Sequence, residues 1–323
     1  MTPQDTQVVT PPPHLSKEAR SILSAADDQL SDLADYRTAR ATINRIADMR
    51  CKLVRDRGVP FDVEAVDANG VCAYWITSPP QDDSERVILY AHGGGYVAGE
   101  AARIIEHPLR MGRAAGRPVL SVEYRRAPEH PWPAAFEDCL QAHCWLVEQG
   151  YAPGRIAWTG LSAGGGIVLA MGLTARQRGI PMPGAIYGMS PWADLTASGD
   201  SYRTNAPYDH VMGSTDIEKL AGLYAGTADR REPTISPVYG DPRGLPPTLV
   251  DAGSREMLLS DAVIWAQRAR DVGADVTLDV WDGLWHGFHN AQEVPEAHQV
   301  TERAAAFFRS HTGGSDSFSR TTR

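Results

Sequence analysis

The sequence predicts one doubly wound α/β domain, and three observations predict it. Short apolar runs of strand length recur along the chain, stretches of helical spacing separate most of them, and glycine-rich segments follow directly on two of the runs. Strands that alternate with helices are joined by parallel crossovers, which cover the sheet on both faces. The length of 323 residues suits one large domain of this kind, and a hydrophobic share of 42% supplies its core.

The elements follow in order. Residues up to Pro11-Pro12-Pro13 read as a flexible lead-in and 313–323 as a flexible tail. Residues 15–57 have helical spacing. Segments 61–68 and 71–77, separated by the turn signal Asn69-Gly70, predict a β-hairpin, so antiparallel strands open the sheet. Buried strands are expected at 87–90, 119–122, 156–158, 185–187, 248–250 and 276–280, with helices near 133–149, 163–178, 260–272 and 293–310. From about Asp194 to Gly244 no strand run occurs, only helical spacing such as 216–224; a stretch that long between strands reads as a lid or insertion over the site. No internal repeat is found.

Charge and cysteine usage exclude several function classes. A net charge of −9 argues against nucleic acid as a partner, because phosphate binding is driven by Lys and Arg. The four cysteines, Cys51, Cys72, Cys139 and Cys144, contain no C-x-x-C pair and read as free thiols, with no zinc site or disulfide framework. No apolar run reaches the roughly 18 residues of a membrane span, and the first twenty residues lack a basic region followed by an apolar stretch. A cytoplasmic protein is therefore expected.

The chemistry concentrates in two glycine-rich segments. Gly160-Leu161-Ser162-Ala163-Gly164 follows a strand run and precedes a helical stretch. A sharp strand-to-helix turn needs small residues on both sides and projects a serine hydroxyl outward, so Ser162 is the candidate nucleophile. The alternative is an ordinary βα turn with an N-capping serine. His92-Gly93-Gly94-Gly95 follows the strand VILYA. Consecutive glycines let peptide N–H groups approach a ligand without Cβ interference. The N–H groups of Gly93, Gly94 and Ala163 are thus the candidate oxyanion hole. His92 reads as a structural residue of that loop. A serine needs a base, and in the chain order Ser, acid, His the best base is His286, in Trp285-His286-Gly287-Phe288, with His289 as a core or solvated residue. The acid of choice is Glu256, in the loop after the 248–250 strand; Asp251 and Asp282 are rivals, and Asp261 is expected to serve the N-terminal dipole of the next helix.

These residues resemble a known family, the bacterial hormone-sensitive-lipase-like esterases of the α/β-hydrolase superfamily. The resemblance covers nearly the whole chain: HGGGYVAG at 92–99, YRRAPEHPWPAAFED at 124–138, GLSAGGG at 160–166, SPWADLT at 190–196, GLPPTLVDAGSREMLLSDA at 244–262 and WHGFH at 285–289. It implies a mostly parallel eight-stranded sheet, a Ser162, Glu256, His286 triad and a structural role for Asp194. It also implies a helical cap, with 1–50 contributing to it, 194–235 as its insertion, and 51–193 with 236–312 as the core. Two positions depart from the family's pattern: Leu161 stands where a polar residue is common, and Glu256 where Asp is common.

Without metal or organic cofactor, these groups would cleave small-molecule carboxylic esters, with substrate choice at Tyr96, Val97, Trp192, Met212 and Leu284 near the motifs. The resemblance extends to monoterpene lactone hydrolases, and an amidase or deacetylase would use the same machinery. A rival of another class is a non-hydrolytic binding protein on the same fold. A homodimer is compatible with the sequence, which identifies no interface.

Overall fold

The structure, a computed structural model, describes residues 11–25, 35–79 and 83–313. The predicted tail from 314 onward and the lead-in before 11 lie outside the described residues. Helices α1 (Lys17–Ala25) and α2 (Tyr36–Asp56) come first, the latter capped by Asp35, whose carboxylate accepts from the backbone N–H groups of Arg37 at 3.0 Å and Thr38 at 3.4 Å. The hairpin β1 (Asp62–Asp67) and β2 (Cys72–Thr77) turns at Asn69 and Gly70, both with positive φ, as a two-residue hairpin loop requires.

The remaining strands are β3 (Val87–Ala91), β4 (Val119–Val122), β5 (Ile156–Leu161), β6 (Ala185–Met189), β7 (Thr248–Gly253) and β8 (Val276–Trp281). They alternate with α3 (Glu106–Ala115), α4 (Ala134–Glu148), α5 (Ala163–Arg178), α6 (Ser201–Thr204), α7 (Ile217–Ala225), α8 (Leu259–Asp271) and α9 (Pro295–His311). The eight strands form one sheet in the order β1-β2-β4-β3-β5-β6-β7-β8, in which β2 alone runs against the others. All strands and all four long helices expected from the sequence are present, and 194–244 carries no strand.

Helix α3 has no sequence signal of its own. Pro108 and Gly112 mask its periodicity, yet Pro108 sits in the first turn, where its missing N–H is no loss. Gly112 is there because a Cβ would lie 2.8 Å from both Arg117 O and Val119 Cγ2, where α3 presses on the start of β4.

The period of two along each strand builds two cores. On β5, Ile156 and Trp158 join Leu89, Leu120, Ile186 and Val250 beneath α4, α5 and α8, while Ala157 and Leu161 join Ile88, Tyr90, Tyr187 and Met189 beneath α3 and α9. Each fully buried large side chain of this kind contributes roughly 1.5–3 kcal/mol. The chain runs from β3 to β4 on one side and returns to β5 on the other, so β3 and β5 flank the point where strand order reverses. In open α/β sheets, ligands bind outside the carboxyl ends of strands at that point. The glycine segments at 92–95 and 160–164 both lie there.

Candidate active site

Ser162 links β5 to α5 with φ +58° and ψ −117°, a conformation that costs of order 1–3 kcal/mol outside glycine. The surroundings hold it. Its N–H donates to Met189 O at 2.8 Å, and its carbonyl accepts from Gly166 N and Trp192 N, each at 3.0 Å. The flanking small residues answer to close backbone approach: a Cβ on Gly164 would stand 2.0 Å from Ala91 O, and one on Gly160 would stand 2.3 Å from the Gly164 carbonyl.

The serine hydroxyl lies 3.0 Å from His286 Nε2, and His286 Nδ1 lies 3.0 Å from Glu256 Oε2. Of the three acids weighed from the sequence, the fold brings Glu256 to this imidazole. Asp251 instead pairs with His289 Nε2 at 2.8 Å and accepts from the Tyr187 hydroxyl at 2.5 Å, all within the buried interior. Asp282 is exposed and accepts from the Ser254 hydroxyl at 3.1 Å. The relay is nearly closed to solvent, with Ser162 6% and His286 5% exposed. Burial pulls the His286 imidazolium down, but the hydrogen bond and charge of Glu256, with the charge of Asp209 behind them, outweigh it and raise the pKa above the ordinary histidine value. Burial likewise raises the Glu256 carboxyl, against the opposing effect of His286.

The loop after β3 lies against the serine. A Cβ on Gly93 would come 3.4 Å from Ser162 Cβ, and Gly94 takes φ +132°, with its missing Cβ 2.1 Å from Ala98 O. The Ala163 N–H opens α5, where no carbonyl of the helix can accept it. His92 braces this loop from beneath: its ring stacks on Tyr124 at 4.1 Å, and its Nδ1–H donates to Gly93 O at 2.8 Å. Burial holds its pKa down to about 4, so it is a neutral brace. Leu161 lies between the two loops, with Cγ 3.6 Å from a Cβ built on Gly93 and Cδ2 4.0 Å from one on Gly287, so apolar packing occupies the position before the serine.

The five residues expected to select substrate separate. Tyr96, Val97, Trp192 and Met212 belong to the main core on the α5 side, where Tyr96 stacks on Tyr224 at 3.8 Å and donates to Trp192 O at 2.9 Å. Leu284 is placed elsewhere, in a cluster with Leu15, Ala19, Trp285 and Phe288 that seats α1 on the loop carrying His286.

Asp261 has more than its expected role. It does stand in the first turn of α8, and its Oδ2 also accepts from the N–H groups of Ala193 and Asp194, each at 2.8 Å, and from the Tyr202 hydroxyl at 3.0 Å, so it ties down the start of the insertion as well. Asp194 accepts from Thr196 and Ser198, backbone and hydroxyl alike, and so shapes the same turn.

Sequence reasoning missed the residues that grip the acid loop. Ser201 Oγ donates to Met257 O at 2.6 Å, Asn205 Nδ2 to Ser254 O at 3.1 Å and Glu256 O at 3.0 Å, and Met257 N to Asp209 Oδ2 at 2.8 Å. Their spacing of four is the one signal available, and polar residues at that spacing equally describe a solvated helix face.

Among the described residues, no cluster of His, Cys, Asp and Glu is arranged to hold a metal ion, and no helix is long and apolar enough to cross a membrane. The cysteines are free. A cleft of about 350 Å³ between α2, α3 and α9, lined by Arg57, Glu106, Arg110 and Gln292 among others, holds none of the predicted site residues.

The chain is similar in sequence and fold to known proteins. A sequence model of the alpha/beta hydrolase fold matches residues 88–290. An acetyl-hydrolase of Streptomyces hygroscopicus is 40% identical over 256 residues, 79% of this chain and 84% of its own. An esterase of Acinetobacter venetianus is 34% identical over 236 residues, covering 70% and 76% of the two chains. The crystal structure of an esterase from the bacterial hormone-sensitive lipase family superposes with a TM-score of 0.83 at 36% identity, over 92% of this chain and 99% of that one.

Proposed function

Since the chain belongs to the alpha/beta-hydrolase family, among the esterases of the bacterial hormone-sensitive-lipase type, and is a carboxylic ester hydrolase, we propose that it cleaves short-chain esters through Ser162, His286 and Glu256. The observation that carries this reading is the unbroken relay at 3.0 Å on both sides of His286. Ser162 Oγ attacks the ester carbonyl carbon while His286 Nε2 takes its proton. The N–H groups of Gly93, Gly94 and Ala163 receive the developing oxyanion, and the tetrahedral intermediate collapses as the imidazolium returns the proton to the departing alcohol. A water, deprotonated by the same imidazole, then releases the acyl group. Glu256 keeps Nδ1 protonated and stabilises the imidazolium without taking its proton.

Acetyl is the acyl group this reading favours. The Streptomyces hygroscopicus relative is an acetyl-hydrolase, and Ser162 and His286 are nearly closed to solvent, with the apolar Leu161 directly before the serine. The cap in this proposal is two-part. From α2, the Arg40 Nε–H donates to Val97 O at 2.7 Å and Asn44 Nδ2 to Glu100 at 2.8 Å, which ties the 1–50 segment to the glycine loop; the 194–235 insertion takes the acid side.

The test is hydrolysis of p-nitrophenyl esters from acetate to dodecanoate, beside a monoterpene lactone and an N-acetylated amine, by the wild-type and Ser162→Ala proteins. Cleavage concentrated on the shortest esters and lost with Ser162 is the expected result. Preference for dodecanoate, for the lactone or for the amide would replace the substrate class, and activity persisting in Ser162→Ala would remove the nucleophile.

A further inference from the structure

The loop that carries Glu256 is held from outside the hydrolase core. Ser201, Asn205 and Asp209 recur every four residues along the insertion, and each bonds the loop 254–260. Ser201 is doubly engaged, since its hydroxyl also accepts from Ser260 N at 2.9 Å. Asp209 is the member that faces both ways. One carboxylate oxygen accepts from Met257 N, the amide next to Glu256, while the other accepts from Val211 N at 3.1 Å and Met212 N at 3.0 Å, the turn bearing a residue expected to contact substrate. The carboxylate is 2% exposed, so solvent screens it little.

We propose that Asp209 is a positioning residue for ester hydrolysis: it fixes the orientation of Glu256 through the Met257 N–H, and its charge stabilises the imidazolium that forms on His286. The inference rests on the reading of Ser162, His286 and Glu256 as the reacting relay. A carboxylate set behind a histidine–carboxylate pair supplies negative potential that needs no reorganisation when the proton moves. Consistent with this, the charge of Asp209 acts in the same direction as Glu256 on the His286 imidazole. The other titratable or charged groups around it are Glu256 and Arg255 on the acid loop, Asp282 beyond Arg255, and Tyr208 and His210 on the insertion, the His210 ring packing on Trp285 at 5.3 Å. A ligand that shifts the turn at 209–212 would move the acid loop with it, so the insertion can couple substrate seating to the relay.

The experiment measures kcat, KM and the pH profile of kcat/KM on p-nitrophenyl acetate for the full chain and for Asp209→Asn, Asp209→Glu, Asn205→Ala and Glu256→Gln. Asp209→Asn is expected to lower kcat by on the order of 10- to 100-fold through misplacement of the acid, with KM little changed. Its acid limb should move to lower pH, because the imidazolium loses a negative neighbour. Asn205→Ala removes two bonds to the loop and no charge, so it should lower kcat and leave the limb in place. Asp209→Glu should return the limb to its wild-type position. A loss of rate in Asp209→Asn with no movement of the limb would overturn the electrostatic role, as would equal movement in Asn205→Ala. Should Asp209→Asn not fold, a displaced limb in Asp209→Glu, or wild-type kcat in Asn205→Ala, would overturn the inference. Wild-type rate in Glu256→Gln would instead sink the relay itself; a crippled Glu256→Gln beside an unaltered Asp209→Asn would remove only the role of Asp209.

Discussion

Around Ser162, backbone presses on backbone; around Glu256, side chains reach in from an insertion. The elbow is fixed because Gly160, Gly164 and Gly94 leave no room for Cβ atoms, and the Ser162 peptide is bonded on both sides. The acid loop has Ser201, Asn205 and Asp209 instead, contributed from a segment that is not part of the sheet. Steric fit of this kind tolerates almost no substitution. Side-chain bonding tolerates change gradually and makes the acid answer to whatever moves the insertion. One arrangement secures Ser162 against disturbance, and the other leaves Glu256 adjustable.

Breaking the comparison at its chemical centre gives the largest effect. Ser162→Ala should lower kcat by on the order of 10⁶-fold while the protein melts cooperatively, as removal of a serine nucleophile does when the partner residues remain. Stopped assays with high enzyme concentration check it. Gly164→Ala breaks the steric side: a Cβ 2.0 Å from Ala91 O must displace β3 or α5, and overpacking of this severity should cost about 3 kcal/mol or more, read as a fall in the chemical-denaturation midpoint.

A third measurement sharpens the electrostatic side. His286 must be neutral to act as a base, and its pKa is raised, so kcat/KM should climb through an apparent pKa above the ordinary histidine value of about 6.5. Activity fully developed below that pH would contradict the ion-pair environment described. The smallest effect is expected of Asp282→Asn, whose exposed carboxylate bonds Ser254 and lies away from the imidazole; kcat should stay within about twofold.

The same contrast explains what could be read from the sequence. Steric fit leaves glycines, and glycines at fixed offsets after strand runs are visible without a structure; hence the elbow, the 92–95 loop and the strand order of the chain were legible. Chain order pointed to His286, whose Nε2 the fold sets 3.0 Å from Ser162 Oγ. The choice among Glu256, Asp251 and Asp282 was not settled by residue type, because all three follow the right strand or the next; the fold separates them by placing Asp251 under His289 and Asp282 at the surface. The second role of Asp261 was not legible, because a place in the first turn of α8 says nothing of a carboxylate reaching back to Ala193 and Asp194. Leu284 stands two residues from His286 and yet packs toward α1, since nearness in sequence to a motif does not fix which side of a loop a residue faces.

The most direct test compares kcat/KM on p-nitrophenyl acetate for the wild-type and Glu256→Gln proteins, with folding checked by circular dichroism. The glutamine keeps the shape of the acid and removes its charge and its hold on the Nδ1 tautomer, so a fall of on the order of 10⁴-fold is predicted. A Glu256→Gln enzyme as fast as the wild type would contradict the account, because the buried partner of His286 would then contribute nothing to the reaction.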